Sequence, residues 1–208
     1  MDDPQSYLAL VGTYTEESDS EGIYSYRVDA ETGGLERLGV TGGDDNPSFL
    51  ALGPDGEHLY AVNQVTEGKV AAYSIDRETG ELSLLNRVSS RDARPAHISV
   101  DATGSYVLAA HYTGGSVAML PIDGDGRMGA PTDVIDHEGS SVHPERQTEA
   151  HPHSINPDPE NRFAYVPDLG TDRVVIYGMD LERGELRPAD PPSVEVLILF
   201  EHLYTDEQ

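Results

Sequence analysis

A strand repeat is the feature that most limits what this chain can fold into. Four similar apolar segments each end in an aspartate, at Asp29, Asp76, Asp123 and Asp180, at intervals of 47, 47 and 57 residues. Each aspartate is followed by a turn rich in Gly, Asp or Glu, as in Glu31-Thr-Gly33. Repeats of this period are typical of stacked units that cannot bury their apolar faces alone.

The other elements keep the same period. Before each of the last three aspartate segments lies another short apolar strand, and before that a strand that begins with proline. No stretch of useful length has the apolar period of a helix. The pattern predicts an all-β fold, a β-propeller of four-stranded antiparallel blades with about four blades present. The predicted inner pairs of strands are Pro47–Leu52 with Tyr60–Val62, Pro95–Val100 with Val107–Ala110, and Pro152–Ile155 with Phe163–Val166.

The repeat is irregular at both ends. The first unit, near residues 7–46, has no innermost strand that begins with proline, and closed propellers often take that strand from the opposite end of the chain. The repeat stops after Val196, and the following residues 197–203 are apolar but have no such proline. We therefore expect a partial propeller domain over residues 1–196 and a separate tail over 197–208. The open blade edges could pair with another copy, or the tail could close a small ring.

The charge of the chain restricts its partners. Thirty-eight acidic residues face 13 basic ones, for a net charge of −25. A surface this acidic repels nucleic acid and anionic membranes, so neither is a predicted partner. The chain has no cysteine and no signal-peptide pattern, which favours a cytoplasmic location. The low lysine content with many Asp and Glu residues is typical of proteins from salt-loving organisms.

Several sequence motifs stand out in addition to the repeat. They are Asn46-Pro-Ser-Phe-Leu-Ala-Leu52, His137-Glu-Gly-Ser-Ser-Val142, Glu145-Arg-Gln147, His151-Pro-His-Ser154 and Asp168-Leu-Gly-Thr-Asp-Arg173. With these motifs, the chain resembles the seven-bladed β-propeller lactonases, which include 6-phosphogluconolactonases and, more distantly, a carboxymuconate cyclase. The resemblance implies hydrolysis of a sugar-acid lactone, a small anionic substrate, with no cofactor. A cycloisomerase of the carboxymuconate type is the close alternative, and a propeller that only binds partners, without catalysis, is the other.

Three residues are the candidate catalytic groups for lactone hydrolysis. This reaction needs a base that activates water and a donor that stabilises the oxyanion. His153 is the predicted base, because an imidazole titrates near neutral pH. Arg146 can hold a phosphate or carboxylate with two hydrogen bonds, and such a cation stands out in an acidic chain. Glu145 could orient either residue or act as the base itself.

Five further residues are predicted to bind substrate around the central channel, where loops on a rigid scaffold carry function. His97 lies near the start of an innermost strand, and three others occupy equivalent places at the ends of second strands. The five residues are His151, Asp168, His97, His111 and Asn63. His151 and His153 also share a strand face, as metal ligands can, but the spacing is not a zinc signature, so no metal is predicted.

Overall fold

A computed structural model describes residues 6–16 and 18–196, and this part of the chain is built from strands and turns. Within these residues, no helix is long and apolar enough to cross a membrane. The tail predicted over 197–208 lies outside the described residues. Within them, the strands follow the repeat. They are β1 (Ser6–Val11), β2 (Ile23–Asp29), β3 (Leu35–Thr41), β4 (Leu50–Leu52), β5 (His58–Asn63), β6 (Lys69–Ile75), β7 (Leu82–Ser89), β8 (Pro95–Val100), β9 (Tyr106–His111), β10 (Ser116–Pro121), β11 (Asp133–Asp136), β12 (Asn156–Pro157), β13 (Phe163–Asp168), β14 (Arg173–Asp180) and β15 (Glu185–Glu195).

The strands form four antiparallel sheets, which confirms the predicted blades. Blade 1 is a three-stranded sheet of β1 to β3, and blades 2, 3 and 4 each have four strands in chain order, from β4, β8 and β12. In each of blades 2 to 4 the first strand in the chain lies at one edge of the sheet and the last lies at the other. The repeated sequence thus becomes a repeated sheet.

The aspartate that closes each repeat makes the same turn in blades 1 and 2. Asp29 Oδ1 accepts hydrogen bonds from the backbone N–H groups of Glu31 and Thr32, at 2.9 and 2.8 Å. These backbone donors also hold the pKa of Asp29 below its usual value. Asp76 repeats the arrangement, and Gly80 completes its turn with a φ of +74°, a conformation that favours glycine.

The core lies between blades, because both faces of the middle strands are buried. In β5, Leu59 and Ala61 pack toward blade 1, whereas Tyr60 and Val62 pack toward blade 3. In β9 the same alternation places Val107 in the core toward blade 2 and Leu108 in the core toward blade 4. A strand has a period of two, so a nearly continuous apolar run fills the contacts on both sides of its blade.

Two innermost strands are shorter than predicted. The strand expected over Pro47–Leu52 is regular only from Leu50, and that expected over Pro152–Ile155 is replaced by a bridge from Pro152 to Asp168 and the two-residue β12. Proline has no N–H to donate, so the prolines in this stretch of blade 4 leave gaps in the ladder. The chain around His153 is therefore a loop held at a few points. The inner strand of blade 3 forms as predicted.

Within residues 6–16 and 18–196, blade 1 has no innermost strand, as the sequence predicts, and β1 is the edge strand of its sheet. A cavity of about 920 Å³ lies beside this edge, between blades 1 and 2. Its walls are mainly leucine side chains, including Leu8, Leu10, Leu50 and Leu59. None of the predicted site residues lines this cavity, so its size does not make it the candidate site.

Candidate functional site

The loop from residue 137 to 155 connects blade 3 to blade 4 and carries half of the predicted site residues, including the three candidate catalytic groups. Its anchor is Gln147, which is buried. The Gln147 side chain accepts a hydrogen bond from His143 N and donates to the carbonyl oxygen of Leu169 and to Asp172 Oδ1, each at 2.8 Å. Ser141 also donates to the Asp172 carboxylate. The loop is thus fixed to the hairpin between β13 and β14.

Five rings from three blades form two contacting groups, and the charge of His153 in one group acts on His97 in the other. We call Phe49, His97, Tyr112, His151 and His153 the aromatic cluster. Phe49 and His97 have ring centroids 4.4 Å apart. Tyr112 stacks on His151 at 4.6 Å and meets the edge of His153 at 5.5 Å. The structure therefore brings together three of the predicted histidines, and two aromatic residues join them.

His97 is a neutral imidazole in this cluster. Burial, and to a smaller extent the charge of nearby His153, together lower its pKa to about 4. Its Nδ1 accepts a hydrogen bond from Ile155 N at 3.3 Å. The ring hydrogen of the neutral form therefore lies on Nε2, which makes His97 a hydrogen-bond donor to a ligand in the cluster.

His151 is held in a defined position by its backbone and its ring. Its N–H donates to Asp168 Oδ1 at 2.9 Å, and its carbonyl oxygen accepts from Leu169 N at 3.0 Å. Its Nδ1–H donates to the carbonyl oxygen of Tyr112 at 2.8 Å. In the neutral form Nε2 is then a hydrogen-bond acceptor. His153, by contrast, is exposed and is held through its backbone N–H, which donates to Pro167 O at 3.0 Å.

Asp168 is buried and connects this loop to the centre of blade 4. Its Oδ2 accepts a hydrogen bond from His137 Nδ1 at 2.7 Å, and His137 Nε2 lies 2.9 Å from the hydroxyl of Tyr177. Burial raises the pKa of Asp168, but the hydrogen bonds from His137 and from the backbone outweigh it and hold that pKa below its usual value. Asp168 is therefore a carboxylate at neutral pH.

Asn63 and His111 occupy the places in blades 2 and 3 that Asp168 occupies in blade 4. Both are buried. Asn63 contacts the loop that enters its own blade by donating to Asp44 Oδ1 at 3.0 Å, whereas His111 reaches its loop through Ser116, which donates to Asp92. Burial lowers the pKa of His111, although the nearby Asp92 carboxylate acts in the opposite direction. Buried in this way, Asn63, His111 and Asp168 are placed to support the site from behind.

Glu145 and Arg146 lie on an exposed turn of the 137–155 loop. Their backbone N–H groups both donate toward His143 Nδ1, at 3.3 and 3.2 Å. The turn is connected to the aromatic cluster through the chain from Gln147 to His151. No group of three His, Cys, Asp or Glu side chains suited to a metal ion occurs within residues 6–16 and 18–196.

Reasoning from sequence missed four residues that the structure connects to the site. Phe49 and Gln147 stood inside the motifs that carry the family resemblance, and Tyr112 follows His111 directly. His137 begins the motif His137-Glu-Gly-Ser-Ser-Val142, which also carries the family resemblance, but no role was predicted for this residue. Nothing in the spacing of His137 and Asp168 indicates that their side chains meet.

Comparison with known proteins identifies the family. The family model described as "Lactonase, 7-bladed beta-propeller" matches residues 8–197. A 6-phosphogluconolactonase of Bacillus subtilis is 36% identical over 172 residues, which are 82% of this chain and 49% of that protein. One of Formosa agariphila is 30% identical over 192 residues, 89% of this chain and 54% of that protein. The chain spans about half the length of the curated relatives that it matches.

Solved structures agree with this assignment. The periplasmic gluconolactonase of Pseudomonas aeruginosa superposes with a TM-score of 0.85 and 35% identity, over 92% of this chain and 55% of that one. A protein from Lactobacillus plantarum superposes with a TM-score of 0.80 and 30% identity, over 92% of this chain and 53% of that one. With its blades, its motifs and these relatives, the chain belongs to the seven-bladed β-propeller lactonase family.

Proposed function

We propose that this protein is a lactonase of the 6-phosphogluconolactonase type and that the aromatic cluster forms its active site. The observation that carries the proposal is the pairing of a neutral donor, His97, with the exposed imidazole of His153 in one cluster. Curated relatives at 30 to 36% identity bear the name 6-phosphogluconolactonase. Because the chain spans about half of their length, the activity is a proposal for this chain and needs its own test.

His153 acts as the general base in the proposed reaction. It takes a proton from a water molecule while the water oxygen attacks the carbonyl carbon of the lactone. The Nε2–H of His97 donates to the oxygen that becomes negative in the tetrahedral intermediate. The bond between the carbonyl carbon and the ring oxygen then breaks, and His153 returns its proton to that oxygen. The product is an open-chain hydroxy acid, whose new carboxyl group releases one proton at neutral pH.

The remaining predicted residues either bind the substrate or hold the loops around it. Arg146 holds the phosphate or carboxylate of the lactone, which is a local attraction in a chain of net charge −25. Glu145, its neighbour on the exposed turn, orients that guanidinium. The Nε2 of His151 accepts a hydrogen bond from a hydroxyl group of the sugar acid. Asp168, His111 and Asn63 hold the surrounding loops.

Acid release from 6-phosphogluconolactone at constant pH, measured in molar KCl and corrected for spontaneous hydrolysis, tests this proposal. We expect His153→Ala to lower kcat by about 100-fold or more, since a general base contributes about that much. His151→Ala and Arg146→Ala should mainly raise KM. His58→Asn is the matched control, because His58 lies at the far end of β5 from Asn63 and binds Asp55. Hydrolysis by the wild-type protein at the background rate would refute the proposal.

The remaining expectations about partners and location stay predictions. The open edge of β1 is the place where a second copy could pair, and light scattering in molar salt would detect it as a mass that rises with concentration. Nucleic acid and anionic membranes are not expected partners at this charge. A cytoplasmic location also stays a prediction, since one solved relative is described as periplasmic.

A further inference from the structure

Three buried side chains form a continuous chain of hydrogen bonds behind the aromatic cluster. The side chains of His137 and Asp168 are 4% and 1% exposed, and Tyr177 is buried beside them. We propose that this chain, Tyr177 to His137 to Asp168, is a positioning device for His151. The inference rests on the proposed function only for the part that His151 plays in binding substrate.

The first hydrogen bond in this chain has a defined direction. Asp168 is a carboxylate, so His137 Nδ1–H donates to it at 2.7 Å. Burial raises the pKa of Tyr177 to about 12, helped by the charges of Asp168 and Asp133, so the phenol keeps its hydrogen and can donate to the Nε2 of a neutral His137 ring, 2.9 Å away. His137 is thereby fixed at both ring nitrogens, and it aligns the carboxylate of Asp168.

The other oxygen of Asp168 acts directly on the site loop. Oδ1 accepts from the backbone N–H groups of His151 and Gly170, at 2.9 and 3.0 Å. Pro152, the next residue, pairs with Asp168 as an isolated β-bridge. A rotation of the Asp168 carboxylate would therefore move the backbone at His151, and with it the ring that stacks on Tyr112.

The equivalent loop residue in blade 2 is held differently. Asn46 precedes Pro47 as His151 precedes Pro152, but the backbone N–H of Asn46 donates to Thr15 Oγ1, a residue of blade 1. Asn63, the counterpart of Asp168, binds Asp44 and the carbonyl oxygen of Asp45. The direct bond from the strand-end side chain to the residue before the proline is thus made in blade 4 and not in blade 2. A positioning role at His151 requires this bond, because it is the contact through which Asp168 acts on the backbone of His151.

Hydrogen exchange and kinetics test the proposal with three variants. His137→Leu removes both bonds, His137→Asn keeps a donor toward Asp168, and Tyr177→Phe removes only the phenol. We expect His137→Leu to speed amide exchange at His151 and Gly170 by about tenfold or more. It should also raise KM or lower kcat by up to about 100-fold, as a displaced binding group does. His137→Asn should bring both the amide exchange rates and the kinetic constants most of the way back to the wild-type values. Tyr177→Phe should change the same quantities in the same direction as His137→Leu, but less.

Tyr60→Phe is the matched control, since Tyr60 is an equally buried tyrosine whose hydroxyl donates to Gly126 O, away from the cluster. Exchange at His151 that is unchanged in His137→Leu would overturn the proposal. If that variant does not fold, Tyr177→Phe decides: faster exchange at His151 supports the proposal, and unchanged exchange overturns it. A wild-type protein without lactonase activity would remove the proposed function, whereas the exchange measurement would still decide the positioning role.

Discussion

The partly buried imidazole of His97 predicts a specific loss of stability in mild acid. Its pKa is lowered from 6.5 to about 4 in the folded protein, first by burial and then by the charge of His153. Between these two pH values the unfolded chain binds a proton at His97 and the folded chain does not. The free energy of unfolding therefore falls as the pH decreases from 6.5 to 4, and this contribution is fully present above pH 6.5.

The size of the effect follows from the shift. A difference of about 2.5 pKa units corresponds to about 3 kcal/mol, since each unit is worth about 1.4 kcal/mol. This is a large part of the stability of an ordinary domain. Many carboxylates titrate in the same range, so the contribution of His97 must be measured as a difference from a variant. His97→Asn is suitable, because its amide oxygen can accept from Ile155 N and does not titrate.

Urea unfolding at fixed molar KCl, followed by circular dichroism at pH 7, 5.5 and 4, measures this difference. We expect the wild-type protein to lose about 3 kcal/mol more than His97→Asn between pH 7 and pH 4. Urea carries no charge, so the screening of the acidic surface stays constant during each titration. Two proteins that lose stability in parallel over this range would refute the assignment of a buried neutral imidazole at residue 97.

Three further outcomes follow from the loops and the charge. Gln147→Ala removes the side-chain bonds that anchor the 137–155 loop, so limited proteolysis should cut within 138–146 at concentrations that leave the wild-type loop intact. Gly170→Ala would place a Cβ 1.8 Å from the carbonyl oxygen of Glu149 and should lower Tm strongly, whereas Gly124→Ala meets nothing within 4 Å and should not. Raising KCl from 0.1 to 2 M should raise Tm, because salt screens a net charge of −25, and an unchanged Tm would contradict this.

The blades could be predicted from the sequence because each level of local information agrees with the others. The period, the aspartate turns and the apolar runs of β5, β6, β9 and β10 all specify buried strands joined by tight turns. The innermost strands of blades 2 and 4 were predicted less well. Whether a strand that begins with proline pairs regularly depends on which backbone groups its neighbour offers, and the sequence around Pro152 does not contain that information.

The site could be predicted only in part, because its contacts run between blades. Histidine is a conspicuous residue in sequence, so His97, His151 and His153 were found, and the structure brings them together. Phe49 and Tyr112 were not predicted as site residues, since aromatic residues in an all-β chain are more often core residues than ligand contacts. Their role depends on where the next blade lies.

The three equivalent strand ends show how a repeat acquires a local function. Asn63, His111 and Asp168 occupy one structural position. Asn63 and Asp168 contact the loop that enters their own blade, and His111 reaches its loop through Ser116. Their equivalent places in the repeat therefore predict only a structural role at each of the three strand ends. What differs is the chemistry: Asn63 and His111 each leave a buried polar atom without a hydrogen-bond partner in the described residues, whereas both carboxylate oxygens of Asp168 are used. Because only a carboxylate accepts on both sides, Asp168 can bind His137 with one oxygen and the backbone of His151 with the other. Replacing Asp168 with Asn should therefore loosen the site loop, although the same change reproduces the residue that blade 2 carries at this position.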